Sequence, residues 1–132
     1  MGNGTNLGKV RGLGSAKHGA DHWTLSRITA IGNLTLMVWL IVSLLTNDLA
    51  DFTSFTRWLS APFAAVPMIL LVVCALTHVR LGLQVLIEDY VHAEATKLAT
   101  LLALTFFVYG AGATALFSIA KIAFGVVPHV GQ

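Results

Sequence analysis

Charged side chains are scarce in this sequence. They make up 11% of the 132 residues, whereas a soluble domain carries roughly one quarter. Apolar side chains account for 56%, and the mean hydropathy is +0.79. Water is therefore not the solvent of most of this chain, and we expect an integral membrane protein. The net charge of +2 is too small and too dispersed for a nucleic-acid surface.

Cysteine is nearly absent. The single cysteine, Cys74, lies inside an apolar run and has no partner in the sequence, which excludes an internal disulfide and a thiolate metal cluster. We interpret it as a small packing residue. The sequence also lacks a dinucleotide fingerprint, a catalytic triad and a carboxylate pair, so these kinds of catalytic site are not expected in it.

Three apolar runs are each long enough to cross a hydrocarbon core of ~30 Å at ~1.5 Å per residue. They cover about 23–46, 61–88 and 98–127. The sequence therefore predicts an all-α fold of three transmembrane helices over residues 23–132. Residues 1–22 lack the apolar stretch of a signal peptide and are expected to form a cytosolic N-terminal arm.

The segment NDLADFTSFTRWLS separates the first two runs. It mixes acids, hydroxyls and aromatic rings, which predicts a loop at the membrane interface with Phe52, Phe55 and Trp58 among the headgroups. Ser60 and Pro62 predict the start of the second helix, and Pro67 is a candidate kink near its beginning.

Basic residues are concentrated before the first run. Lys9, Arg11 and Lys17 precede it, whereas the segment after it offers only Arg57. The positive-inside rule then predicts a cytoplasmic N-terminus and places the polar turn at 88–97 on the same side.

The second run carries most of the chemistry, within THVRLGLQVLIEDYVH. At ~100° per residue, Gly82 and Asp89 lie about 40° and 20° round the helix from His78, so the three residues share one face, along which a flat ligand fits. His78 lies about 16 Å inside Asp89, near mid-membrane. Haem ligation, a structural hydrogen bond and proton relay all suit an imidazole at that depth.

The same residues carry a resemblance to a known family. His78, Gly82 and the pair Asp89-Tyr90 have the spacing found in the small hydrophobic membrane anchor of bacterial and mitochondrial succinate dehydrogenases. The stretch GSAKHGADHWTLSRITAIG also resembles that anchor, in which a Gly-Ser-rich arm leads through a histidine to an arginine followed by Thr-Ala. The resemblance covers roughly Gly14 to the C-terminus.

The resemblance implies a place in a four-part complex of the bacterial cell inner membrane. A flavoprotein subunit oxidises succinate, an iron-sulfur subunit carries the electrons, and two membrane anchors hold haem b and a quinone, expected to be ubiquinone. This chain resembles the smaller anchor, so its partners are expected to be the larger cytochrome b anchor and the two peripheral subunits. The dehydrogenase active site is expected outside it.

The resemblance also implies residue roles. His78 is expected to be one axial ligand of the haem b iron, with a histidine of the larger anchor as the other. Tyr90 matches a tyrosine that hydrogen-bonds a quinone carbonyl, and Asp89 matches the acid beside it. Arg27 and His22 match residues in the vicinity of the haem propionates.

Some alternatives stay open at this stage. The gap from His22 to Arg27 departs by one residue from the family pattern, so Asp21 is an alternative to His22, and Arg27 is otherwise a snorkelling cation at a helix end. Arg80 has no counterpart in the pattern and should face protein, a propionate or a watery cavity.

Two other functions fit the same residues. His78 and Arg80 would be substrate or proton groups in a small transporter, or would only pack in a structural or assembly subunit. The patch Gly110-Ala111-Gly112-Ala113 predicts a close helix-packing surface.

Overall fold

All regular secondary structure is helical in the part of the chain that the computed structural model describes, which is residues 17–125 with side chains from residue 20. Helix α1 spans Lys17–Thr46, α2 spans Phe52–Ser60, α3 spans Pro62–Tyr90 and α4 spans Glu94–Ala123. Helices α1, α3 and α4 are long and apolar enough to cross a membrane. The predicted all-α fold with three transmembrane helices is confirmed, and the cytoplasmic N-terminus stays a prediction.

The helix bounds differ from the predicted spans by a few residues. Helix α1 begins six residues before the predicted span, at Lys17, and residues 1–16 of the predicted arm lie outside the described residues. Helix α4 begins at Glu94 and ends at Ala123, four residues before the predicted end. It ends there because Gly125 adopts a left-handed φ of 71° and donates its backbone N–H to the Ile122 carbonyl.

Helix α3 lies between the other two spans. Helices α1 and α4 both pack along it, and in residues 17–125 none of their Cα atoms approach each other within 8 Å. Gly32 lies at Cys74 and Thr29 at His78, so α1 runs antiparallel to α3. Gly112 lies at Leu76 and Tyr109 at Arg80, so α4 does too. The three spans therefore form a row, which leaves much of the central helix open on its two faces.

Small residues set the helix spacing in this row. A Cβ atom built at Gly32 of α1 would lie 3.0 Å from the Cys74 Sγ of α3, and one at Gly112 of α4 would lie 3.2 Å from the Leu76 Cδ1. The packing interpretation of Cys74 is thus confirmed. The small-residue patch is a packing surface at Gly112 but not at Gly110, where an added Cβ would meet no atom within 4 Å.

The prediction of a loop between the first two spans was wrong, because this segment contains α2. The Asp51 carboxylate accepts hydrogen bonds from the backbone N–H groups of Thr53 and Ser54, at 3.0 and 3.2 Å, and so caps the helix. Ser60 is the last residue of α2 and does not cap the next helix, because its hydroxyl donates to the Arg57 carbonyl.

The aromatic residues of α2 divide between two environments. Phe52 is exposed, as expected for a residue among headgroups. Phe55 and Trp58 instead pack inward, and the Trp58 ring stacks on Trp39 of α1 with centroids 5.9 Å apart. They cover a small buried cluster of Leu59, Ala65 and Ile119. Helix α2 thereby packs against the N-terminal end of α3 and against both α4 and α1.

Helix α3 starts where the sequence predicts. Pro62 occupies its first turn, where the missing N–H costs no hydrogen bond, and Ala61 precedes it in extended conformation. The helix continues through Pro67 to Tyr90 without interruption. A single continuous helix therefore carries His78, Arg80, Gly82 and the Asp89-Tyr90 pair.

Candidate functional site

A hydrogen bond joins His78 of α3 to Thr29 of α1. The Thr29 Oγ1 lies 3.1 Å from the His78 Nδ1. The same hydroxyl lies 2.9 Å from the Leu25 carbonyl oxygen and 3.1 Å from that of Ser26, one turn back along α1. Thr29 is buried, with 4% of its surface exposed, and His78 is half-buried. The His78 ring is therefore held by a buried side chain at the interface between α1 and α3.

The close approach of α1 and α3 brings these two side chains together. Thr29 precedes Gly32 by three residues and His78 follows Cys74 by four, so in antiparallel helices each pair shares one face. Because Gly32 has no side chain, α1 can lie close to α3 at Cys74. One turn away, a short threonine hydroxyl then reaches the imidazole.

His78 lies far from both ends of α3. It lies sixteen residues from Pro62 and twelve from Tyr90, or ~24 Å and ~18 Å along the axis of α3. An aqueous surface is therefore distant from both sides, and the imidazole depends on partners within the membrane.

One side of the imidazole remains free. The His78 Nε2 makes no hydrogen bond within the described residues, since only Nδ1 contacts Thr29. Gly82, one turn further along α3, is exposed, and a Cβ built there would meet no atom within 4 Å. Gly82 is thus not used to pack α3 against a helix of this part of the chain. The His78-Gly82 face offers open space beside a ring nitrogen.

Asp89 and Tyr90 end α3 on the side of the membrane predicted to be cytoplasmic. Tyr90 is 75% exposed and Asp89 is also exposed. Neither side chain makes a hydrogen bond within residues 20–125, although the Tyr90 backbone carbonyl lies 3.1 Å from the His92 Nδ1. A phenol and a carboxylate on consecutive residues, about 100° apart round the helix, are therefore both available at the helix end, ~18 Å along the axis from His78.

Arg27 and His22 lie on α1, on the predicted cytoplasmic side of Thr29. Arg27 is exposed and its guanidinium carbon lies 5.4 Å from the ring centroid of Trp23, one turn away. At ~100° per residue it points about 200° away from Thr29, and so away from the contact of α1 with α3. His22 is half-buried. The helix brings His22, seven residues before Thr29 and about 20° from it round the axis, onto the face that meets His78, ~10 Å nearer the helix start. Arg27 is not on that face.

Arg80 faces α4, a contact that sequence reasoning missed. Its guanidinium carbon lies 5.7 Å from the ring centroid of Tyr109, and it forms no salt bridge in the part of the chain from 20 to 125. The rotation of about 200° that separates it from His78 explains why the two residues serve different helix contacts. A pattern search within one helix does not reveal a partner 29 residues away.

No group of three or more histidine, cysteine, aspartate or glutamate side chains gathers to hold a metal ion among the described residues. His78 is the one histidine placed near the middle of a span in that range. An iron that takes four ligands from a porphyrin needs only one or two axial side chains, and a single free imidazole nitrogen suits it.

Together these features define a class of protein: a multi-pass membrane subunit that presents one histidine at mid-depth and a phenol-carboxylate pair at the end of the same helix. Residues 1–112 match the family described as succinate dehydrogenase/fumarate reductase transmembrane subunit. The chain belongs to this family, and the resemblance drawn from its motifs is confirmed.

Curated relatives support the same assignment. The chain is 35% identical over 99 residues to the succinate dehydrogenase hydrophobic membrane anchor subunit of Rickettsia bellii, covering 75% of this chain and 79% of that protein. It is 43% identical over 84 residues to the subunit of the same name in Rickettsia conorii, covering 63% and 67%. No solved structure matches the chain.

Proposed function

We propose that this chain is the hydrophobic membrane anchor of a succinate dehydrogenase in a bacterial cell inner membrane, where it helps to hold haem b and to form the site of quinone reduction. The family match covers most of the chain, and the named relatives are anchor subunits of bacterial succinate dehydrogenases. The chain contributes to electron transfer from succinate to quinone, and the oxidation of succinate belongs to another subunit.

His78 carries the haem part of the proposal. Its Nδ1 is engaged by Thr29, and its Nε2 has no partner within the described residues, so one nitrogen remains for an axial bond to iron. Gly82 leaves open space one turn away. These surroundings fit a haem ligand, with a histidine of the larger cytochrome b anchor as the second one. Bound haem b would supply a one-electron redox centre within the membrane.

Tyr90 and Asp89 are proposed to contact the quinone. The Tyr90 hydroxyl donates a hydrogen bond to a quinone oxygen that gains charge on reduction, which stabilises the charged state more than the neutral one. Asp89 precedes it in the sequence and is proposed to support the pocket or its proton supply. Both side chains are exposed and make no hydrogen bond in residues 20–125, so both are free to act on a ligand.

Arg27 and His22 are proposed to lie near the haem propionates, with Arg27 as the main contact. The Arg27 guanidinium forms no salt bridge within the described residues, and Trp23 covers only one face of it. The N–H groups lie in the plane of the guanidinium and point outward from its edge. They remain available for a charge-assisted hydrogen bond to a carboxylate.

The exposed apolar surface fits a subunit of a larger membrane complex. Large apolar side chains are exposed along all three spans, and the buried core consists of only a few residues. Lipid covers part of such a surface, and we propose that the larger cytochrome b anchor covers another part. The iron-sulfur and flavoprotein subunits dock at the end that carries Asp89 and Tyr90, close to the proposed quinone.

A small transporter is less well supported. It requires His78 and Arg80 to serve one pathway, yet His78 contacts α1 and Arg80 contacts Tyr109 of α4. The central helix α3 separates the two groups.

Purification tests the proposal. The chain, tagged at its C-terminus and extracted from its native membrane in mild detergent, should bring with it a flavoprotein, an iron-sulfur protein, a second membrane anchor and a b-type haem spectrum. The isolated assembly should reduce ubiquinone with succinate. Recovery of the chain without the two peripheral subunits and without haem would contradict the proposal.

A further inference from the structure

We propose that Thr29 is a positioning residue for the haem ligand: its hydroxyl oxygen accepts a hydrogen bond from the His78 Nδ1–H and so keeps the Nε2 unprotonated and correctly turned for iron. This inference rests on the proposed function, since it concerns the same imidazole.

The proposed direction of the hydrogen bond depends on where the single hydroxyl proton of Thr29 points. A threonine hydroxyl has one proton and two lone pairs. The carbonyl oxygens of Leu25 and Ser26 lie 2.9 and 3.1 Å from the Thr29 Oγ1, on the side of α1 itself. With the hydroxyl proton directed to these carbonyls, only a lone pair is left for His78. The proton at that contact must then come from Nδ1.

The contact is unusual within this structure. Other threonines, including Thr35, Thr77 and Thr105, direct their hydroxyls to the carbonyl four residues back and to nothing else. Thr29 makes the same backbone bond and also reaches a second helix. It forms the only side-chain hydrogen bond between two helices in residues 20–125.

The surroundings of Thr29 hold its hydroxyl in place. The residue is 4% exposed, its side chain is β-branched, and the close contact of Gly32 with Cys74 lies one turn away. A neutral imidazole can carry its proton on either nitrogen, and a fixed acceptor at Nδ1 selects one form. An acceptor of this kind also raises the basicity of the ligand nitrogen. A hydroxyl does so less than a carboxylate, since it carries no charge.

Three variants separate this role from ordinary packing. Thr29→Val keeps the shape and removes the hydroxyl, while Thr29→Ser keeps the hydroxyl. Thr35→Val is the matched control, because Thr35 makes the same bond to its own helix, at 3.0 Å from the Ile31 carbonyl, and lies exposed on α1. Thr29→Ala is a second hydroxyl-free variant should the valine hinder assembly.

The first readout needs no haem. In the full-length chain labelled with ¹⁵N-histidine and reconstituted in phosphatidylcholine bilayers, solid-state NMR reports which His78 nitrogen carries the proton. The His78 signal is assigned by its loss in His78→Gln. We expect Nδ1–H in the original sequence and in Thr35→Val, and a loss of this preference in Thr29→Val. A proton on Nε2 in the original sequence would overturn the inference.

The second readout is the haem of the purified complex. Thr29→Val should weaken haem retention by about 10-fold, as for other losses of a ligand's hydrogen-bond partner, and should raise the midpoint potential because a less basic ligand stabilises the oxidised iron less. Thr29→Ser should restore both properties. If His78→Leu loses haem b while Thr29→Val and Thr29→Ala behave like Thr35→Val, this inference alone fails. An unchanged haem spectrum in His78→Leu would overturn the proposed function and this inference with it.

Discussion

The guanidinium of Arg80 on α3 lies over the ring of Tyr109 on α4, with 5.7 Å from the guanidinium carbon to the ring centroid. A charged arginine at the centre of a membrane helix costs roughly 2.5 to 3.5 kcal/mol on insertion scales. Arg80 forms no salt bridge within the described residues, so the aromatic face is the attractive partner that this part of the chain supplies.

This contact predicts that the stability of the complex depends on the Tyr109 ring rather than on the Tyr109 hydroxyl. Tyr109→Leu should lower the free energy of unfolding of the complex by about 0.5 to 2 kcal/mol, because it removes the cation-π contact. Tyr109→Phe is the control, since it retains the ring. Thermal unfolding of the purified complex checks the prediction, and equal stability of the leucine and phenylalanine variants would contradict it.

The Gly32 contact predicts that α1 cannot tolerate a side chain there without a shift. Gly32→Ala places a Cβ about 3.0 Å from the Cys74 Sγ and should cost about 1 kcal/mol. Haem content per complex should also fall, because the displaced helix carries Thr29 away from His78. Adding Cys74→Ala makes room and should restore haem content. Gly110→Ala, which meets open space, is the control, and an equal effect of Gly32→Ala and Gly110→Ala would argue against this packing role.

The three spans were predictable because each is a long apolar run whose helical length matches the thickness of the hydrocarbon core. Helix α2 was missed although its signals were present. Asp51 stands before Phe52 in a capping position, and Phe55, Trp58 and Leu59 are spaced three and four residues apart as on one helix face. The mixture of polar and aromatic residues, typical of an interface, masked this periodicity.

The site was only partly predictable. The spacing of His78, Gly82, Asp89 and Tyr90 within one helix is visible in the sequence, and it carries the family resemblance. The partner of His78 is not visible in the sequence, because Thr29 lies 49 residues away and is one of many threonines in the spans. Its role depends on which faces of α1 and α3 meet, and that depends on the small residues between them.

Arg27 is predicted to contribute to haem binding through its charge. A charge-assisted hydrogen bond to a propionate is worth roughly 1.5 to 3 kcal/mol. Arg27→Ala should therefore weaken haem retention or shift the midpoint potential in a redox titration. Trp23→Leu removes the neighbouring ring but keeps the cation, and should have the smaller effect. No change with Arg27→Ala would favour a snorkelling cation instead.

Tyr90 is predicted to act in quinone reduction alone. Tyr90→Phe keeps the ring and removes the hydroxyl, which should lower succinate-quinone reductase activity about 10-fold for the loss of ~1.4 kcal/mol. Succinate oxidation with a soluble artificial acceptor should stay almost intact, because that reaction bypasses the quinone. Tyr109→Phe removes a hydroxyl elsewhere in the chain and is the matched control. Unchanged quinone reduction and inhibitor binding in Tyr90→Phe would show that Tyr90 is only an interfacial anchor.

The most direct measurement is the optical spectrum of the reduced complex with His78→Leu. Axial ligation by His78 predicts that the low-spin b-type bands are lost or altered, because leucine offers no nitrogen to the iron. His92→Leu is the matched control, as His92 is exposed beyond the end of α3 and should leave the bands as they are. Unaltered b-type bands in an assembled His78→Leu complex would contradict the account.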